Sequence, residues 1–160
     1  MSIDIYIKKR KWDIGGTTEP NPELNKSLSH QKIVKLKRPV YIIQFHLSKQ
    51  PHYDLRLEFD GVLKSWAIPK EPPIGNERRL AIQTEDHPLE YAKFSDRIPP
   101  NNYGAGTVKI WDTGTFETIK KTDKALVVNL KGKRLKGEYV LVKTAFRGSK
   151  NSWLFFKKKE

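Results

Sequence analysis

Beyond residue 38 apolar and polar residues alternate with the two-residue period of β-strands. The runs PVYIIQFHL, HYDLRLEFDG, VLKSWAIPK, RRLAIQTEDH, GTVKIWD, GTFETIKK, ALVVNLKG, GEYVLVKT and SWLFFKK are rich in β-branched and aromatic residues, and many are bounded by Gly, Pro, Asn or Asp. About eight or nine such runs at close spacing predict an all-β fold, a closed barrel or a sandwich, since closure removes edges that would otherwise aggregate. Asp60-Gly61 and Asp112-Thr113-Gly114 read as hairpin turns, and Lys131-Gly132-Lys133 and Lys136-Gly137 as the two ends of another connection. Residues 1–38, with Gly15-Gly16, Glu19-Pro20-Asn21-Pro22 and Lys35-Leu36-Lys37-Arg38, show no sustained period. They read as an extended N-terminal arm wrapped on a single domain at 39–160.

The alternation also sorts the chemistry. In the run from 52 to 60, Tyr53, Leu55, Leu57 and Phe59 point one way, and His52, Asp54, Arg56 and Glu58 the other. Before it, Tyr41, Ile43, Phe45 and Leu47 oppose Gln44, His46 and Ser48, and the short gap allows a hairpin that brings His46 near His52 and Asp54. Further on, Leu80 and Ile82 are expected to face the core, with Arg79, Gln83, Glu85 and His87 on the polar parity. Two imidazoles and a carboxylate can hold a divalent transition metal, and alternate strand residues stand about 6–7 Å apart. Plain period-two alternation would equally place such residues on a solvated outer face. Arg56, Lys64, Lys70 and Arg79 read either as a phosphate clamp or as ordinary basic surface, Glu85 as a partner for a ligand imidazole or a surface ion pair, and Tyr91 as a packing aromatic. His30, in the arm, has no carboxylate pattern around it.

Charge narrows the partner. The 160 residues carry 31 Lys and Arg against 18 Asp and Glu, a formal +13, which points to a polyanion and above all to nucleic acid. With 37% hydrophobic residues the chain has material for a core. Zero cysteines exclude disulfides and thiolate zinc sites, so any metal rests on His, Asp or Glu. No apolar run is long enough for a membrane span, and the opening residues lack the apolar stretch of a signal peptide, so a soluble, cytoplasmic protein is expected.

Gln44-Phe45-His46, His52-Tyr53-Asp54-Leu55-Arg56-Leu57-Glu58, the stretch from Asp60 to Lys70, Arg79-Leu80-Ala81, Glu85-Asp86-His87-Pro88-Leu89-Glu90-Tyr91 and Tyr103-Gly104-Ala105-Gly106 together resemble the 3′-phosphoesterase module of bacterial DNA ligase D. The resemblance spans at least 39–112 and continues more loosely to Trp153-Leu154. It implies a closed β-barrel with an apolar interior, and a metal-dependent enzyme favouring Mn²⁺ that trims a terminal 3′ ribonucleoside and removes the resulting 3′-phosphate at DNA breaks. By the same resemblance His46, His52 and Asp54 are metal ligands, and Arg56, His87 and Tyr91 contact the scissile phosphate. Gln44, Lys70, Arg79 and Glu85 match supporting, substrate-binding positions. Towards the amino end the family has an Arg-Asp pair ahead of Glu-Pro. Asp13 and Glu19-Pro20 align, but Trp12 stands where the arginine belongs, with Arg10 as its candidate replacement.

His87 keeps two readings, a proton donor to the leaving oxygen or a fourth metal ligand. The expected partners are DNA or RNA–DNA 3′ ends and, for a monomer without ligase or polymerase segments, separately encoded ligase and polymerase. Two other functions compete. His52-x-Asp54 with His87 imitates the ligand set of an iron and 2-oxoglutarate dioxygenase, and the basic and aromatic residues suit a non-catalytic barrel that binds single-stranded nucleic acid.

Overall fold

A computed structural model describes residues 3–13, 15–21 and 37–159; His30 and the rest of the expected arm between 22 and 36 lie outside them. A helix α1 (Ile3–Lys8) precedes nine strands: β1 (Val40–Leu47), β2 (His52–Phe59), β3 (Val62–Ile68), β4 (Arg78–His87), β5 (Arg97–Ile98), β6 (Gly106–Lys121), β7 (Ala125–Lys131), β8 (Lys136–Lys143) and β9 (Ser152–Lys157). Their order is β1-β2-β3-β4-β9-β8-β7-β6-β5, and β1 also pairs with β6. Eight antiparallel strands thus close on themselves, with β5 added outside. Among the described residues no helix is long and apolar enough to cross a membrane.

Apolar side chains of every closing strand meet inside, where Tyr41, Ile43, Leu55, Leu57, Phe116 and Phe155 are at most 2% exposed. A barrel of this strand number has an interior about wide enough for side chains alone, so no chemistry is housed there. At the β2–β3 hairpin Asp60 and Gly61 have φ of 55° and 80°, the double left-handed pair that a two-residue turn of matching twist requires.

Asp112-Thr113-Gly114 is not a turn. It lies within the unbroken β6, whose first half pairs with β1 and second half with β7. The Asp112 carboxylate accepts hydrogen bonds from the Tyr41 hydroxyl and the amides of Lys133, Arg134 and Leu135, and a Cβ at Gly114 would sit 2.1 Å from the Lys131 carbonyl oxygen. These residues serve a close crossing of strands rather than a reversal.

The outer face of β1, β3 and β4 is covered rather than solvated. Tyr6 of α1, the 3₁₀ turn Leu89–Lys93 and Ile98 form a second apolar layer with Val40, Ile42 and Leu63. The helix, which the sequence period did not reveal, carries Asp4 in its first turn and Lys8 in its last, matching its dipole, and buries Tyr6 completely. The Tyr6 hydroxyl donates to the Pro20 carbonyl at 2.7 Å, tying the two described parts of the N-terminal segment together.

Two facing expectations fail. Leu47, at the end of β1, is 54% exposed. In β4, Ser65 partners Thr84 but Leu63 partners His87, so one extra residue bulges between them and reverses the alternation. Ala81 therefore enters the interior, opposite Trp153, and Arg79 and Gln83 share its parity, while Leu80 and Ile82 lie on the outer side with Thr84. Beyond the bulge, His87 returns to that outer face.

Candidate metal and phosphate site

The β1–β2 hairpin pairs His46 with His52 and Gln44 with Asp54. His46 Nδ1 and His52 Nε2 lie 3.8 and 3.3 Å from Asp54 Oδ2, and one donor atom from each of the three residues falls within a 4.8 Å cluster. The outward nitrogens are fixed by main-chain carbonyls: His46 Nε2 donates to Gly104 O at 2.6 Å, and His52 Nδ1 donates to Gln50 O at 2.9 Å. When both rings are neutral in these tautomers, each aims its lone pair at the same carboxylate oxygen. Three acceptors converge, and only a cation or a proton can lie between them. Backbone-oriented imidazoles beside a carboxylate form a donor set that fits a divalent transition ion.

The metal-free charges follow from the same contacts. Burial alone would push the Asp54 pKa up, but Arg56, with Nη2 3.6 Å away, and then His52 hold it below the usual carboxylate range. Burial lowers the His46 pKa. At His52 the Asp54 hydrogen bond and charge outweigh burial and raise it.

Arg56 stands behind this set with 3% of its surface exposed. Its Nε donates to Gln44 Oε1 at 2.7 Å, and Gln44 Nε2 donates to the carbonyls of Tyr91 and Phe94 at 2.8 and 3.0 Å. The guanidinium also lies over the Tyr91 ring, 4.6 Å from its centre. Its Nη1 is buried and finds no partner among the described residues. Arg56 lines a cavity of about 290 Å³, and a guanidinium that keeps an unmatched donor beside it suits an anion.

Arg10 supplies a second guanidinium to that cavity. It donates through Nε to Glu19 at 2.7 Å and through Nη1 to Glu85 at 3.3 Å, all three side chains being nearly fully buried. Tyr91 donates its hydroxyl to Glu19. His87 donates from Nδ1 to Glu85 O at 2.9 Å, and burial followed by the charges of Arg56 and Arg10 holds its pKa well below 6.5, so the ring is neutral with Nε2 an acceptor.

A family model for the DNA Ligase D 3′-phosphoesterase domain matches residues 44–143. The chain belongs to this family. It is a family of phosphoesterases, hydrolases of phosphate esters, and its span here takes in His46, His52, Asp54, Arg56, His87 and Tyr91. The chain is 46% identical over 141 residues to the multifunctional non-homologous end joining DNA repair protein LigD of Mycobacterium tuberculosis, covering 85% of this chain and 18% of that protein. The multifunctional non-homologous end joining protein LigD of Pseudomonas aeruginosa is 42% identical over 75% of this chain and 15% of its own length, and that of Mycolicibacterium smegmatis 40% over 92% and 20%. The chain thus spans about a fifth or less of these relatives.

Within this 3′-phosphoesterase frame the structure gathers some of the expected residues and separates others. His46, His52, Asp54, Arg56, Glu85, His87, Tyr91 and Glu19 all line the cavity, and Gln44 lies behind it. Lys70 and Arg79 do not; they line a neighbouring groove, and Arg79 Nε donates to Glu71 O. Asp13 is exposed and outside the cavity lining, while Trp12 packs against Tyr6 and donates from Nε1 to Ile7 O. Tyr6, Gly104 and Tyr103 were not singled out from sequence; Tyr103-Gly104-Ala105-Gly106 was the one visible signal, and Gly104 is the carbonyl that orients His46.

Proposed function

We propose that this protein is a metal-dependent 3′-phosphoesterase acting on DNA or RNA–DNA 3′ ends, removing a terminal ribonucleoside and then the 3′-phosphate left behind. The observation that carries this is that one cavity is lined both by a two-imidazole, one-carboxylate donor set and by Arg56, whose Nη1 is unmatched. The relatives' names place them in non-homologous end joining, and a +13 chain suits a nucleic-acid substrate.

His46, His52 and Asp54 would hold the ion, with Mn²⁺ the favoured occupant. Bound there, such an ion supplies Lewis-acid polarisation of a phosphoryl oxygen or a more acidic water. Arg56 offers Nη1 to the phosphoryl oxygens and neutralises charge that grows on them, and Gln44 keeps the guanidinium from swinging away. With the phosphate anion beside it offsetting Arg56 and Arg10, the neutral His87 takes up a proton from solvent at Nε2 and delivers it to the leaving ribose oxygen. Arg10, held by Glu19 and Glu85, adds a second cation at the wall. Tyr91 acts as a platform for Arg56, its hydroxyl being engaged by Glu19.

The test is a DNA primer–template with a 3′-phosphate, incubated with Mn²⁺ and again with EDTA. Phosphate release in the first and none in the second is expected. Binding without release in either would favour the nucleic-acid-binding barrel, and iron-dependent decarboxylation of 2-oxoglutarate would favour the dioxygenase; either result would reject the proposal.

A further inference from the structure

The outer face of β4 continues past the cavity. Thr84 lines the cavity, and Ile82, on the same face, partners the cavity-lining Ala67. Alternation then puts Leu80 and Arg78 next along that face. They line a groove of about 440 Å³ with Pro69, Lys70 and Arg79, and Arg78 passes into another of about 290 Å³ lined by Phe156, Lys157, Lys158 and Lys159. Arg78 is registered opposite Phe156 and its guanidinium covers that ring at 4.6 Å. No carboxylate lines either groove among the described residues. Two opposing charges border them: Lys158 meets Glu138 at 3.9 Å, and Glu77, whose charge is felt by Arg79, accepts from the Gly75 amide.

We propose that Arg78 and Lys157–Lys159 form a remote anchor for the phosphodiester backbone of the same nucleic acid whose 3′ end enters the cavity. Six residue steps along the strand separate Thr84 from Arg78, about 20 Å at roughly 3.3 Å per residue. At about 3.4 Å per base pair the anchor meets the duplex some six base pairs from the end. With Arg78 covering Phe156, the patch offers charge rather than a stacking face, so it reads backbone and not sequence. This inference rests on the proposed function for which end lies in the cavity.

Two 3′-phosphorylated duplexes of equal length decide it, one natural and one with uncharged methylphosphonate linkages about five to eight base pairs from the 3′ end. Binding is followed by fluorescence anisotropy in EDTA, and phosphate release in Mn²⁺, for the wild type, Arg78→Glu, and the triple variants Lys157→Glu/Lys158→Glu/Lys159→Glu and Lys157→Gln/Lys158→Gln/Lys159→Gln. Neutral linkages should weaken wild-type binding at least about tenfold and reduce the salt slope by about three. The Glu variants should bind both duplexes alike and the Gln variant should lie between. All should release phosphate from a nucleoside 3′-phosphate at the wild-type rate. A wild type indifferent to the neutral linkages, or variants as sensitive as wild type, would overturn the anchor. Absence of phosphate release with the binding pattern intact would reject the proposed function and support the anchor.

Discussion

Gln44 Oε1 accepts a 2.7 Å hydrogen bond from Arg56 Nε, with both side chains closed off from solvent on the outer face of the β1–β2 pair. Because Gln44 is itself held by two carbonyls beyond β1, the direction of the guanidinium is set by a chain of contacts rather than by Arg56 alone. Gln44→Leu removes the acceptor and leaves both carbonyls without that donor. Turnover should fall about 10- to 100-fold, with Mn²⁺ affinity in calorimetry within about twofold of wild type. Arg56→Lys, which keeps charge but loses the planar fork, should cost about 100-fold or more in turnover with metal binding intact. A loss of metal affinity in either variant would reject this division of labour.

The three proposed metal donors should show the opposite signature. His46→Ala, His52→Ala and Asp54→Ala should each abolish or greatly weaken Mn²⁺ binding. Gly104 gives a subtler probe, since its φ is 74° and a Cβ there would meet His46 Cε1 at 3.3 Å. Gly104→Ala should displace the ring its carbonyl orients and weaken Mn²⁺ binding about 10- to 100-fold while the fold persists by circular dichroism.

Arg10 and Trp12 separate cleanly. Arg10→Ala leaves Glu19 and Glu85 buried without it and should destabilise the protein by about 3–5 kcal/mol in chemical denaturation, besides lowering turnover. Trp12→Phe loses only a bond to the Ile7 carbonyl and part of a ring contact with Tyr6. It should keep near-wild-type turnover. The reverse ranking would return the role to position 12.

His87 makes stability depend on pH. Its folded pKa lies well below the unfolded value of 6.5, first by burial and then by Arg56 and Arg10. Above 6.5 both states are neutral and the native fold keeps its full stability; below it the unfolded chain takes up a proton that the native ring refuses. Stability should therefore fall with falling pH, by up to about 1.4 kcal/mol per unit from this one group. His87→Gln should flatten that part of the profile in urea titrations from pH 7 to 5. An unchanged slope would show that His87 is not held neutral.

Period two along the chain determined the all-β class and located eight of the nine strands, since burial of one face per strand writes itself into alternate residues; it split β6 into two runs and left the two-residue β5 unmarked. The Asp60-Gly61 turn was equally legible, because two consecutive left-handed residues restrict residue type. The pairing of His46 with His52 and Asp54 followed from a short hairpin, in which sequence neighbours become spatial neighbours. Alternation could not show that the polar face is roofed. Tyr6, Arg10 and Glu19 reach it from far along the chain, and only their packing turns solvated polar residues into a buried, electrostatically coupled wall. Nor could it show the extra residue in β4, since a bulge leaves composition unchanged while reversing every side chain beyond it. That single residue sends Arg79 to a different groove and His87 into the cavity, and Asp112-Thr113-Gly114, turn-like in composition, was claimed instead by a crossing of strands whose closeness only the closed barrel imposes.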